Sequence, residues 1–256
     1  DGPITFARFM AVALHEPERG YYAAPTGRPG RAGDFLTAPE AHPVFGWTLA
    51  RAIEETWSLL GRPARFDLVE HGAGSGALAL AILGGLRRSG SPLLGALRYA
   101  PIESAPPRLA ELRARLETAG FGERLAPPGP PAPSGTPDRP PERVVGLVLA
   151  NELLDALPVH RVTVLDGRLR ELLVDAAPER RETRPSSGAA GAADGTDAEE
   201  PPAFVAVAAD PTTPALAARL ADDGVTLAEG QVAEICLALD DWVAAVAAGL
   251  ERGILL

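Results

Sequence analysis

Apolar residues at helical spacing open the chain. Phe6, Phe9, Met10, Ala13 and Leu14 share one face and predict a helix over residues 4–15, with Pro3 at its start and Pro17 and Gly20 at its end. A loop rich in Gly, Pro and Arg runs from Gly20 to Pro39. A second helix is predicted from Pro43, with Phe45, Leu49, Ile53, Trp57 and Leu60 along one stripe. Residues 1–62 therefore read as a helical N-terminal cap.

The pattern changes at Phe66. A short strand, Phe66–Glu70, runs into a glycine turn, Gly72-Ala73-Gly74-Ser75-Gly76, and a helix follows to about Arg88. Leu97–Glu103 reads as the next strand, and Leu109, Leu112 and Leu116 mark the helix after it. Val144–Ala150 is an unbroken apolar run, as expected of a central parallel strand buried on both faces. Strands alternating with helices predict an α/β fold with a parallel sheet, here over residues 63–256. A hairpin insertion is predicted at 159–175, turning at Asp166-Gly167. Segments 126–143, rich in Pro, and 177–202, rich in Ala, Gly, Pro, Ser and acid, are expected to be disordered. A weak strand at 204–208 and a short helix at 214–222 follow. A last helix is predicted over about 232–251, with Ile235, Leu239, Trp242, Val243, Val246 and Leu250 inward and Gly253 closing it. The run Ile254-Leu255-Leu256 reads as a strand cut short, and the chain starts at Asp1 without a Met, so further sequence is expected beyond these ends.

Composition narrows the class. The 256 residues carry 24 basic against 34 acidic side chains, a net charge of -10. Every Lys/Arg position is arginine, and Asn151 and Gln231 are alone of their kind. Lysine and asparagine codons are AT-rich, so a GC-rich bacterial genome is expected; the expected location is the cytoplasm. Cys236 alone excludes a disulfide scaffold and suits a reducing compartment. His15, His42, His71 and His160 show no metal spacing, so no metal is expected. Net negative charge argues against non-specific nucleic-acid binding. No apolar run approaches the roughly 18 residues of a membrane span, and no signal peptide is visible.

Gly72, Gly74 and Gly76 let the backbone approach a ligand closely at the start of a helix. The turn also fits the loose dinucleotide fingerprint, and a plain strand-to-helix turn is the bland alternative. Glu103, closing the next strand, is placed to accept hydrogen bonds from ribose hydroxyls. The same geometry serves NAD, FAD or S-adenosylmethionine. The helical preface ahead of the first strand disfavours a dinucleotide-binding domain, and Glu70, just before the turn, suits a cofactor with cationic sulfonium and amino groups.

Four stretches, in order, resemble the MidA-type S-adenosylmethionine-dependent methyltransferase family. They are Gly2–Met10 continuing to Gly20-Tyr21-Tyr22; Gly33–Glu40 with Pro43–Gly46; Val69–Gly76 with Glu103-Ser104; and Ala150–Pro158. The resemblance implies a class I methyltransferase sheet, Rossmann-like, with a helical cap and S-adenosyl-L-methionine at the strand ends. It implies transfer to a protein side chain, arginine in the mitochondrial complex I assembly member. A small-molecule methyltransferase, or an inactive scaffold that keeps the fold, are the alternatives. The sequence departs from the family at His71, where a smaller apolar residue is usual, and at 126–143, which stands where a third strand belongs. The family also continues past Leu256.

Ligands of open α/β sheets bind beyond the carboxyl ends of the strands. There Asn151 and Glu152 are the expected catalytic residues, with Asp155 in support or, equally, as a helix N-cap. A guanidinium stays protonated, so a carboxylate beside it can orient it and accept its proton. Glu70, Gly72, Gly74, Gly76, Glu103, Asp34 and Thr37 are the expected cofactor contacts. Glu40 and Tyr22 are the expected substrate contacts. Glu234 reads as an inward acid of the last helix or its first-turn charge, and His160 as a surface residue.

Overall fold

The computed structural model of the chain describes residues 2–22, 38–127, 143–177 and 203–256. Asp34, Thr37 and most of the segments 126–143 and 177–202 lie outside the described residues. In chain order the elements are β1 (Ile4–Thr5), α1 (Phe6–His15), α2 (Ala38–Ala41), α3 (Val44–Leu59), β2 (Phe66–His71), α4 (Ala77–Ser89), α5 (Leu93–Ala96), β3 (Leu97–Ile102) and α6 (Pro106–Thr118). They continue as β4 (Val144–Leu149), β5 (His160–Leu165), β6 (Arg168–Ala176), β7 (Phe204–Ala209), α7 (Ala215–Asp222), β8 (Val232–Ile235), α8 (Ala238–Gly249) and β9 (Leu250–Leu255). They fall into two compact units: Ala11–Leu157 with Ala238–Leu256, and Asp1–Met10 with Pro158–Leu237.

The larger unit is a Rossmann-like α/β layer. Its four-stranded sheet has the order β3-β2-β4-β9, and every pairing is parallel. β2 is buried along its whole length, as a central strand is, although Asp67, Glu70 and His71 alternate with its apolar residues. On one face Phe66, Leu68 and Tyr99 pack with Ile53, Ile82, Leu83, Leu112 and Leu116 from α3, α4 and α6. On the other, Val69, Val144 and Val148 pack with Trp242 and Val246 of α8. Each such side chain contributes about 1.5–3 kcal/mol through burial. At the β3 edge, Leu125 makes a single parallel bridge to Tyr99, and Ala126 N–H donates to Tyr99 O at 2.7 Å. That bridge occupies the place where the sequence lacks a third strand.

Residues of the cap expected over 1–62 fall in both units, those up to Met10 in the smaller and those from Ala11 in the larger. α3 packs onto α4 so closely that a Cβ at Gly46 would lie 2.4 Å from the Ala81 Cβ, and one at Gly85 would lie 3.2 Å from the Ala50 Cβ. Small residues on both helices therefore merge the second half of the preface with the sheet layer. The insertion is also larger than a hairpin.

That insertion forms the smaller unit, a five-stranded antiparallel sheet in which β6 pairs with β1, β5 and β7, and β5 pairs with β8. The β5–β6 hairpin turns at Asp166 and Gly167, with φ of 53° and 67°, as the Asp-Gly dipeptide predicts. Val162, Leu216 and Ile235 form its core. Glu171 is fully buried beneath it and accepts from Thr212 N–H and Oγ1, both at 2.7 Å, and sits 2.7 Å from His160 Nδ1. His160 is thus tied to a buried acid, not free on the surface as expected.

The last predicted helix is also corrected. Val232–Ile235 is a strand on the free edge of β5, alternating outward and inward; the helix starts at Ala238. Glu234 faces Arg161 across that pair at 3.6 Å and is not an inward helix acid. Val243 is exposed, whereas Trp242 and Val246 are buried as expected. Gly253 does not end a helix: it lies within β9, where a Cβ would come within 1.8 Å of Gly146 O.

Candidate functional site

The carboxyl ends of β2, β3 and β4 carry the predicted site residues of the larger unit. After β2 the chain takes φ of 68°, 53° and 77° at Gly72, Gly74 and Gly76, conformations that favour glycine. A Cβ at Gly76 would meet Leu112 Cγ at 2.9 Å, and one at Gly72 would meet Leu153 Cδ1 at 3.0 Å. A Cβ at Gly74 would find only Gly72 O, at 3.8 Å. Gly72 and Gly76 are thus required by packing, and Gly74 by its backbone alone and whatever approaches the open side of the turn.

The turn is braced. Gly72 and Ala73 N–H both donate to Ile102 O, at 2.9 and 3.2 Å. Glu103 accepts from Gly74 N–H through Oε2 at 2.9 Å and from Ala105 N–H through Oε1 at 3.0 Å. Each carboxylate oxygen keeps a second acceptor position, enough for a pair of ribose hydroxyls. Ser75 Oγ donates to Glu40 Oε1, which holds α2 to the turn, and Arg115 donates to Ser75 O at 2.6 Å.

Glu70 is brought to the same strand end but is buried, and its Oε2 accepts from Tyr99 Oη–H at 2.7 Å. Burial pushes its carboxyl up to about 7, with the nearby Glu103 charge adding and the Tyr99 hydrogen bond opposing. His71, on the opposite face, is buried too. Trp242 Nε1–H donates to its Nδ1 at 3.3 Å, while its Nε2 is buried without a partner. Burial lowers the imidazole to about 4.

Past β4, Asn151 and Glu152 form a turn, and Glu152 takes a left-handed φ of 49° that strains any residue but glycine. Glu152 is exposed and Asn151 half-buried. Asp155 lies inside a short 3-10 turn, Leu154–Ala156, and not at the N-cap weighed for it. His15 Nε2 is hydrogen-bonded to Ala156 O at 2.9 Å, and its ring stacks on Tyr22 at 5.5 Å. The Tyr22 hydroxyl is pushed up by burial and by Asp155, while Arg108 opposes. Glu70, Glu103, Glu40 and the glycines thus surround one turn, and Tyr22 is joined separately, through His15, to the turn that carries Asp155. Tyr99, Ser75, His15, Arg108 and Arg115 were not singled out from the sequence. Nothing in a single chain marks Tyr99 except its place three residues before the strand end, and Arg108 and Arg115 carry only helix-surface spacing.

The residues fit an adenosine-bearing cofactor by the open side of Gly74, the free acceptor positions of Glu103, and the unpartnered buried nitrogen of Arg108, just past Glu103. Among the described residues no group of three His, Cys, Asp or Glu side chains is arranged to hold a metal. No helix of the described residues is long and apolar enough to cross a membrane.

Comparisons with known proteins agree with this geometry. A family model described as an S-adenosyl-L-methionine-dependent methyltransferase matches residues 48–256. The mitochondrial protein arginine methyltransferase NDUFAF7 homologue of Drosophila melanogaster is 32% identical over 197 residues, 69% of this chain and 42% of that protein. The human NDUFAF7 protein is 31% identical over 192 residues, 70% of this chain and 43% of that protein. The chain thus spans less than half the length of these relatives. A superfamily member from Burkholderia thailandensis, solved bound to S-adenosyl-homocysteine, is 30% identical, with a TM-score of 0.75 over 99% of this chain and 57% of that one. With four parallel strands, the braced glycine turn and a family match over most of its length, the chain belongs to the MidA-type S-adenosyl-L-methionine-dependent methyltransferase family.

Proposed function

We propose that the protein binds S-adenosyl-L-methionine and transfers its methyl group to a protein side chain, an arginine, in a bacterial cytoplasm. The observation that carries the reading is the Glu103 carboxylate seated on Gly74 N–H at the end of the parallel strands. When bound, the cofactor supplies a methyl group already activated by its sulfonium. Orientation is then the main task left to the chain. Glu103 and the open face of Gly74 hold the ribose side, with Gly72 and Gly76 shaping the turn. Asp34 and Thr37 are proposed contacts to the same group. Glu70 lies behind the turn as a buried acid, where it favours cationic ligands once ionised. Glu152 and Asn151 stand at the open end of β4, where Glu152 orients an incoming guanidinium and accepts the proton it releases. Asp155 supports that end, and Glu40 and Tyr22 line the acceptor side. The arginine acceptor is supported by the names of the mitochondrial relatives, and the cytoplasmic location by the lone, partly exposed Cys236.

A labelled-methyl transfer assay on cell lysate, read by mass spectrometry, tests the reaction. Label is expected on protein arginine with the wild-type protein and to fall at least tenfold with Glu152→Gln while cofactor binding is kept. Label confined to small molecules overturns the protein acceptor, and unchanged transfer by Glu152→Gln removes that residue from catalysis.

A further inference from the structure

In a chain without lysine, every strong cation is an arginine, and buried ones are normally paired. Arg108 is half-buried and carries one buried nitrogen that is not paired. It lies in the first turn of α6, just past Glu103. Its guanidinium stands 5.9 Å over the Tyr22 ring, and its Nη2 is shut off from solvent with no hydrogen-bond partner. On the same phenol acts the Asp155 carboxylate, whose charge raises the hydroxyl while Arg108 lowers it. One cation thus stands over the ring and the turn that carries one anion is tied to it, and among the described residues no ion pair joins Arg108 to Asp155. The Asp155 turn is held in place by His15, hydrogen-bonded to Ala156 O and stacked on Tyr22.

A simple carboxylate entering here would be attracted by Arg108 and repelled by Asp155; a simple amine would meet the reverse. A ligand that carries both charges a few atoms apart satisfies both groups, and its carboxylate satisfies the orphaned Nη2. We propose that Arg108, over Tyr22, and Asp155, on the turn that His15 ties to Tyr22, hold the zwitterionic amino-acid end of S-adenosyl-L-methionine, Arg108 taking the carboxylate and Asp155 the ammonium. This rests on the reading of the protein as a binder of that cofactor, and it specifies the support that Asp155 gives. The adenosine part carries neither charge and is left to Glu103 and the glycine turn.

The test is calorimetric titration of the full chain with two ligands. S-adenosyl-homocysteine carries the amino-acid end; 5′-methylthioadenosine keeps the adenosine and the thioether but lacks it. Arg108→Gln and Asp155→Asn are each expected to weaken S-adenosyl-homocysteine by ~10-fold to ~100-fold, the range of one charge-assisted contact, and to leave 5′-methylthioadenosine within about twofold. Retained 5′-methylthioadenosine binding shows in the same experiment that the variants are folded. Arg108→Lys, which keeps the charge and loses the planar fork, is expected to fall in between. Unchanged S-adenosyl-homocysteine affinity in Arg108→Gln, or equal losses for both ligands, overturns the proposal. Wild-type protein that binds neither ligand overturns the cofactor reading itself, and this proposal with it.

Discussion

Glu103 Oε2 accepts the Gly74 N–H at 2.9 Å, and this one bond joins the end of β3 to the turn that follows β2. The carboxylate predicted for ribose is therefore already fixed by the loop predicted for the cofactor's approach. Preorganisation of this kind limits the ordering that binding must impose.

The glycines of that turn are expected to separate folding from binding. Gly74→Ala puts a methyl group into open space at φ 53° and should cost about 1–2 kcal/mol of stability. It should weaken S-adenosyl-homocysteine at least tenfold, because the methyl stands where the ligand approaches. Gly76→Ala drives its Cβ against Leu112 Cγ at 2.9 Å and should cost more stability than Gly74→Ala. Urea denaturation and calorimetry on both variants check the order. A Gly74→Ala protein with unchanged affinity would show that nothing binds across the turn.

Glu70 and His71 sit side by side on β2 and are expected to give opposing pH dependences. The Glu70 carboxyl is raised from 4.5 to about 7, so the stability it lends is full below about 4.5 and is lost as pH rises through 7. The His71 imidazole is lowered from 6.5 to about 4, so its contribution is full above 6.5 and is lost as pH falls through 4. Each is on the order of 3 kcal/mol. Relative to wild type, Glu70→Gln should therefore gain stability with rising pH between 4.5 and 7. His71→Leu should gain it with falling pH between 6.5 and 4. Unfolding free energies measured across this range, with difference profiles of the same sign, would contradict the burial assigned to these two groups.

Tyr99→Phe removes the donor to Glu70 and leaves a buried carboxyl short of a partner. A loss of about 1–3 kcal/mol is expected, larger at pH 8 than at pH 5, because the ionised form needs the hydrogen bond most. Equal losses at both pH values would place the Tyr99 contribution in packing alone.

In the antiparallel unit, Glu171→Ala strips His160 and Thr212 of a shared, fully buried acceptor. A loss of roughly 3–5 kcal/mol is expected by denaturation. Burial pushes the Glu171 carboxyl up, but the bonds from His160 and Thr212 outweigh it and hold the group below its ordinary value. The stability it lends is therefore present at neutral pH and lost as pH falls through its folded value.

The sheet was legible because its strands are ended by turn chemistry: the short strand Phe66–Glu70 stops at glycines, and the unbroken apolar run Val144–Ala150 at Asn151. The hairpin was legible from Asp166-Gly167 flanked by Val162, Val164, Leu169 and Leu172. The strand β8 was not, because Val232, Ile235 and Leu239 also sit at helical spacing, and the free edge of β5 decides between the two readings. Gly253 read as a helix stop because nothing local reveals that another backbone passes 1.8 Å from its missing Cβ. At the site, Glu103 and the glycine turn were readable from strand-end position and the geometry of glycine. Their bond to each other was not, and neither were His15 on Ala156, Tyr99 on Glu70 or Arg108 over Tyr22. Those contacts join residues far apart in the chain, and only packing brings them together.

Calorimetric titration of S-adenosyl-homocysteine into the wild-type protein and its Glu103→Ala variant tests the central claim most directly. The wild-type protein is expected to bind. Glu103→Ala should bind at least tenfold more weakly, since it loses the acceptor for two ribose hydroxyls, each contact to a charged group being worth about 1.5–3 kcal/mol. Equal binding by the two proteins would remove Glu103 from the cofactor site, and no binding by the wild-type protein would contradict the account as a whole.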